Sequence, residues 1–280
     1  MSLNIIYFGC DISLSVFMKL LDLGHNISAL YTYHNPYDLV HEFNITAAAR
    51  ERGIPVCYGK MTSAEAEGLF SSRACDVFVT AEYNARLPIP DCERFKGVNV
   101  HNSLLPEGKG FFAVETRRFL RLPYGGVTLH KLTPNFDEGD CLAQKRFPLN
   151  PCEDILRIYK KCEHAAAQIC GDVFRQDNTF FEYWAAAKPQ QGVSSVWYPS
   201  KEERSIHTGM TVEQAIHLFL CYDRFTFART GTGENGQITR VMALHTGDLS
   251  KAIGRRECGE ELIYTPYALK GGSIWLALEK

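Results

Sequence analysis

Through residue 150 the chain alternates short, continuously apolar runs with stretches whose apolar residues recur at helical spacing. No other feature constrains the fold as tightly. NIIYFG (4–9), NISALYTY (26–33), IPVCYG (54–59), CDVFVTAEY (75–83) and GVNVHNS (97–103) read as strands. Residues 13–23, 39–52 and 63–71 read as the helices between them. Strands that are apolar on both faces and joined by helices belong to a parallel sheet covered on both sides. The expected class is therefore α/β, a Rossmann-like, doubly wound, mostly parallel sheet.

After Pro106 the pattern changes. A short helix near 114–121 leads to GVTLHKL (126–132), the acidic turn NFDEGDC and LAQKRFPL (142–149), an expected hairpin added to the sheet edge. Residues 152–176 carry the longest helical pattern, with Ile155, Ile158, Tyr159, Cys162, Ala166 and Ile169 on one core-facing stripe. AAAKPQQGVSS (185–195) has the composition of a linker. Beyond it, a helix over 211–220 and several short strands predict a small β-rich domain. The expected division is a main domain over 1–184, a linker over 185–200 and a C-terminal domain over 201–280.

With 30 Lys plus Arg against 32 Asp plus Glu, the chain has no general attraction for nucleic acid or an anionic membrane. Ten cysteines are scattered singly, none in a C-x-x-C pair. No leader pattern precedes them and no apolar run is long enough to span a bilayer. Reduced thiols and a cytoplasmic location are expected.

Chemistry concentrates in two places. The first strand–helix turn, YFGCDIS, is not G-x-G-x-x-G, so Asp11 or Ser13 is expected to cap a helix rather than serve a dinucleotide site. In GVNVHNSLLP (97–106), alternation puts Val98 and Val100 on one side and Asn99, His101 and Ser103 on the other. Ligands of open parallel sheets bind at the carboxyl ends of strands, and polar residues inside such a strand need a reason. A histidine satisfied by a loop carbonyl is one reason; a reaction site is the other. Asp137, 36 residues after His101, lies in a turn that a helix and a returning strand can bring to the same edge. Gly139 would allow a positive φ in that turn.

Asn-x-His-x-Ser-Leu-Leu-Pro, then Gly-Val-Thr opening a strand, then Asp-x-Gly-Asp at this separation resembles the folate-dependent formyltransferases. That family includes glycinamide ribonucleotide, methionyl-tRNA and sugar-nucleotide enzymes. The resemblance covers about residues 1–150 and continues more thinly through AKPQQG and TVEQAIHLF. It implies that the main domain is catalytic, with Asn99, His101 and Asp137 as the catalytic triad, N10-formyltetrahydrofolate as co-substrate and no metal. An amine attacking the formyl carbon makes a tetrahedral oxyanion, which Asn99 Nδ2 and a protonated His101 would stabilise. Asp137 would orient His101 and help move the amine proton. The resemblance places the pterin between AEYNARLP (81–88) and the acidic turn, with Tyr83, Asn84, Leu87, Phe136 and Asp140 as its lining. Each of Tyr83 and Leu87 also reads as simple loop packing.

One departure concerns the acceptor. Where the methionyl-tRNA and sugar enzymes continue SLLP with Arg-Gly and Ala-Pro, this chain has EGKGFFAVE, with Lys109 before Gly110. From Ser200 onward ten basic residues face ten acidic ones, and the loop YHNPYDLVHEFN lacks a basic run suited to tRNA. These features favour a nucleotide-linked amino sugar, such as a dTDP- or GDP-4-amino-4,6-dideoxyhexose. Ser103, Leu104, Lys109, His34, His130, Trp197 and Tyr198 are candidate substrate contacts. A methionyl-tRNA formyltransferase, a formyl-tetrahydrofolate hydrolase and a non-catalytic binding module stay open as alternatives, and a homodimer is compatible with the sequence.

Overall fold

The computed structural model describes residues 2–33, 44–88, 95–150, 153–175, 178–230, 237–246, 256–257, 260–261 and 264–278. The chain divides into two compact bodies, one of residues 1–114 and 122–197, the other of residues 115–121 and 198–280.

In the first body β1 (Asn4–Gly9), β2 (Asn26–Thr32), β3 (Val56–Tyr58), β4 (Val77–Ala81), β5 (Gly97–His101), β6 (Tyr124–Lys131) and β7 (Cys141–Pro148) form a seven-stranded sheet ordered β3-β2-β1-β4-β5-β6-β7. The strands through β5 are parallel, and β6 and β7 return antiparallel as the expected hairpin. Helices α1 (Leu14–Asp22), α2 (Asn44–Glu51), α3 (Ser63–Ser71), α4 (Ala113–Phe119), α5 (Ile155–Val173) and α6 (Thr179–Ala186) complete the series; α4 crosses the boundary between the bodies.

The unbroken apolar runs are explained by two cores. Ile5 and Tyr7 of β1 join Val77, Val79, Val98 and Val100 beneath α1 and α5, whereas Ile6, Phe8 and Phe78 pack with Ala66 of α3. Helix α5 starts at Asp154, whose carboxylate accepts the amides of Leu156 and Arg157. It buries Ile158, Cys162, Ala166 and Ile169, the stripe expected of it. In the first turn neither Asp11 nor Ser13 caps α1: Asp11 accepts the amide of Ile45, and the Ser13 hydroxyl donates to the carbonyl of Cys10.

Helix α6 falls within TFFEYWAA, where no helix was anticipated. The segment after it is not a free linker. Lys188 and Cys141 exchange backbone hydrogen bonds, Lys109 donates to the carbonyl of Ser195, and Trp197 donates back to Lys109. Backbone polar groups are costly to bury unpaired, so these residues are an added edge of the first body.

The second body holds β8 (Ser205–Ile206), α7 (Val212–Tyr222), β9 (Phe227–Thr230), β10 (Gln237–His245), β11 (Arg256–Glu257), β12 (Glu260–Glu261), β13 (Tyr264–Leu269) and β14 (Gly272–Leu278). Five of these strands form a sheet ordered β13-β14-β10-β9-β8, and β11 pairs with β12. Thr211 and Gln214 close α7 with a reciprocal capping box. Among the described residues no helix is long and apolar enough to cross a membrane.

Candidate active site

The alternation of β5 sends Val98 and Val100 into the α1/α5 core and leaves Asn99 and His101 on the opposite face. Antiparallel register sets Asn99 opposite His130 and His101 opposite Thr128. Parallel register sets Thr80 of β4 beside Asn99. One row of polar side chains, Thr80, Asn99 and His130, therefore runs across three adjacent strands. The Thr80 hydroxyl contacts Asn99 Oδ1 at 2.5 Å, and Asn99 Nδ2 lies 3.1 Å from His130 Nε2.

His101 is buried, and its Nε2 donates to the carbonyl of Gly108 at 2.8 Å. Its Nδ1 lies 3.6 Å from Asp137 Oδ1, and His130 Nε2 is equally far from the same oxygen. The other carboxylate oxygen accepts the amide of Gly110 at 2.8 Å. A loop carbonyl thus satisfies one ring nitrogen while the other faces a buried acid. Burial by itself raises the affinity of Asp137 for a proton. The charge of His101 beside it and the Gly110 amide it accepts outweigh that, so its carboxyl stays well below the usual range.

The acidic turn is held by its backbone. Asp137 itself, not Gly139, takes the left-handed conformation, with φ 55°. Gly139 is needed for a different reason: a Cβ there would lie 1.8 Å from the carbonyl oxygen of Lys131. The side-chain amide of Gln190 donates to the carbonyls of both Asp137 and Gly139. Gln190 thus ties the segment read as a linker to the site.

The two segments expected to hold a pterin lie side by side, with the Arg86 guanidinium 4.7 Å from the Phe136 ring centroid. Phe136 and Asn84 are exposed. Tyr83 donates to the carbonyl of Gly59 and sets its ring edge-on to Phe8, and Leu87 packs against the Phe8 cluster. Asp140 pairs with Lys131 at 3.9 Å.

The substrate candidates separate. Lys109 lies half-buried, 4.0 Å from Glu138, and Tyr198 is exposed. Ser103 is wholly buried, Leu104 sits where a Cβ on Gly126 would fall, and the Trp197 ring packs on Gly108. These three side chains are packing, not open contact surface. His130 is likewise buried in the polar row rather than turned outward for a base or phosphate. His34 lies outside the described residues. On the other side of the sheet edge, Ser13, Glu82, Asn102, Tyr159 and Glu163 line a small cleft.

Residues 49–173 match the model of the formyl transferase family. The chain carries a formyl transferase domain. It is 26% identical over 209 residues to the methionyl-tRNA formyltransferase of Paramagnetospirillum magneticum, covering 72% of this chain and 68% of that one. Across the methionyl-tRNA formyltransferases matched, the aligned part of this chain spans between 48% and 71% of the relative's length. Among solved structures it is similar to HypX from Aquifex aeolicus in complex with tetrahydrofolic acid. The TM-score is 0.63 at 13% identity, covering 99% of this chain and 44% of that one. It is also similar to an N-formyltransferase from Helicobacter canadensis bound to folinic acid and dTDP-3-aminofucose. There the TM-score is 0.58 at 16% identity, and all of both chains is covered. At these identities the structural likeness establishes the fold.

Proposed function

We propose that the chain is a folate-dependent N-formyltransferase whose acceptor is the amine of a nucleotide-linked amino sugar. The observation that carries the reading is the buried His101–Asp137 pair beside Asn99, on one face of β5 at the carboxyl edge of the sheet. N10-formyltetrahydrofolate supplies the formyl carbon, and the loop 82–88 and the turn 135–140 are the segments that would hold it. Asn99 Nδ2 keeps one hydrogen that no described residue takes, ready for oxygen charge that develops in the transition state. His101 Nε2–H reaches the same oxygen only by leaving the Gly108 carbonyl. Its Nδ1 faces Asp137, whose low proton affinity keeps the carboxylate ionised and favours the imidazolium. The amine nitrogen bonds the formyl carbon, its proton passes by water relay through this pair to N10, and the bond from the formyl carbon to N10 breaks to release tetrahydrofolate.

One observation favours a small acceptor over tRNA. The charges from residue 200 onward balance, ten against ten, and offer no excess for a polyphosphate backbone. The sequence likeness to the methionyl-tRNA formyltransferases keeps methionyl-tRNA as the second reading. The discriminating experiment incubates the purified full chain with N10-formyltetrahydrofolate. The acceptors are dTDP- and GDP-linked 4-amino-4,6-dideoxyhexoses, methionyl-tRNA, or water alone. Turnover only with an amino sugar supports the proposal; turnover only with the tRNA, or equally with water, replaces it.

A further inference from the structure

The hydrogen-bond row across the sheet has a direction, and the direction is set at His130. His130 Nδ1 lies 2.9 Å from the carbonyl of Lys131, which can only accept, so Nδ1 carries a hydrogen. In the neutral ring Nε2 is then a bare acceptor, and the Asn99 atom 3.1 Å from it must be the amide nitrogen. Asn99 Oδ1 is left facing the Thr80 hydroxyl at 2.5 Å, which donates. A hydroxyl serves equally as donor or acceptor, so Thr80 accommodates either orientation of the carboxamide. A bare imidazole nitrogen accommodates one. We propose that His130 is a positioning residue that fixes the orientation of the Asn99 carboxamide, with Thr80 holding its far end. Asn99 then offers a single oriented N–H to substrate, its other one being spent on His130.

The register makes this arrangement a product of the sheet. Thr80, Asn99 and His130 are direct lateral neighbours on β4, β5 and β6, and Thr80 and His130 are nearly inaccessible. A buried polar row costs desolvation unless its members find partners, and here Thr80, Asn99 and His130 partner one another across the strands. The ring of His130 also faces Asp137 Oδ1 at 3.6 Å and His101 across 6.4 Å between centroids. An imidazolium at His130 would point Nε2–H at the Asn99 amide hydrogens and drive the carboxamide over.

The catalytic consequence rests on the formyltransferase reading; the orientation does not, and the two are tested separately. Long-range 15N–1H spectra of the histidines at neutral pH should show His130 as a neutral ring protonated at Nδ1. The side-chain amide doublet of Asn99, assigned by its loss in Asn99→Asp, should shift in His130→Phe. An Nε2–H tautomer or an imidazolium at His130, or an unmoved doublet, overturns the proposal whatever the enzyme does. With N10-formyltetrahydrofolate and the amino sugar that supports turnover, His130→Phe should lower kcat by roughly tenfold to a hundredfold, part of the value of one oxyanion donor. Binding of folinic acid should be unchanged. In an Asn99→Ala background His130→Phe should add no further loss; an undiminished second loss overturns the positioning role. If His130→Phe does not fold, Thr80→Val serves, with Thr80→Ser restoring what Thr80→Val loses; failure of Ser to restore counts against the proposal.

Discussion

Replacing Asp137 by Asn isolates the charge of the site from its shape. Asn tolerates the left-handed conformation that Asp137 occupies at φ 55°. Its carbonyl oxygen still accepts the Gly110 amide, so the turn should keep its place. What disappears is a negative charge 3.6 Å from His101 Nδ1. At an effective dielectric of about 20, that pair is worth up to about 5 kcal/mol to the imidazolium. The site is only about 10% exposed, so solvent screens part of this rather than most of it. A fall in kcat of roughly 10²–10³ is expected, within the range of a lost general acid–base partner. The assay is initial-rate formyl transfer at saturating folate, with folinic acid binding measured in parallel and expected to hold. A loss below about tenfold would mean that less than about 1.4 kcal/mol of the barrier depends on the charge, which refutes the assignment.

Other expectations follow from the same structure. Because the Asp137 carboxyl is depressed in the folded state, its contribution to stability is complete above the ordinary carboxylate value of about 4. That contribution disappears as pH falls toward the lower folded value, so the Tm difference between wild type and Asp137→Asn should shrink below about pH 4. A gap that widens in acid contradicts this. Gly139→Ala cannot keep a Cβ 1.8 Å from the Lys131 carbonyl, so the turn must move. Both Tm and kcat should fall, and retention of both would show the turn to be compliant. Trp197→Ala removes the ring packed on Gly108, whose carbonyl holds His101. It should cost about 3–5 kcal/mol in denaturant unfolding together with activity, and a purely local, silent cavity would contradict the coupling. Burial pushes the thiols of Cys10, Cys75 and Cys170 up to about 12. They should react with a disulfide reagent only on unfolding, and rapid reaction in the native protein would refute their burial.

The parallel half of the sheet was legible because its signal is local. Each apolar run announces a strand buried on both faces, and β1 splits its residues between the two cores accordingly. Asn99 and His101 stood out as polar residues interrupting that pattern; grouping them with Asp137 as a site came from the family resemblance, and the structure brings the three together. What the sequence hid is what depends on pairing. His130 enters the site through the register of β5 against β6, opposite Asn99 and two residue pairs from His101. The signal was present in GVTLHKL, a second polar residue in a buried strand, but only a committed hairpin register turns it into a neighbour of Asn99. Residues 185–195 have linker composition, yet Lys188, Gln190 and Ser195 hydrogen-bond to Cys141, the Asp137 turn and the 108–109 backbone. Composition reports solvation tendency and carries no information about such distant partners. Gly139 was singled out correctly for the wrong reason: a close approach to Lys131, not a positive φ, excludes a side chain there.

The most direct test of the account follows the formyl group itself. N10-formyltetrahydrofolate labelled at the formyl carbon is incubated with the full-length chain and a dTDP- or GDP-linked 4-amino-4,6-dideoxyhexose, and the label is traced by mass spectrometry. The account predicts label in amide linkage to the amino sugar, formed by the wild type and nearly abolished in His101→Ala and Asp137→Asn. Label released as formate independently of amine, or transfer that survives both substitutions, would contradict it.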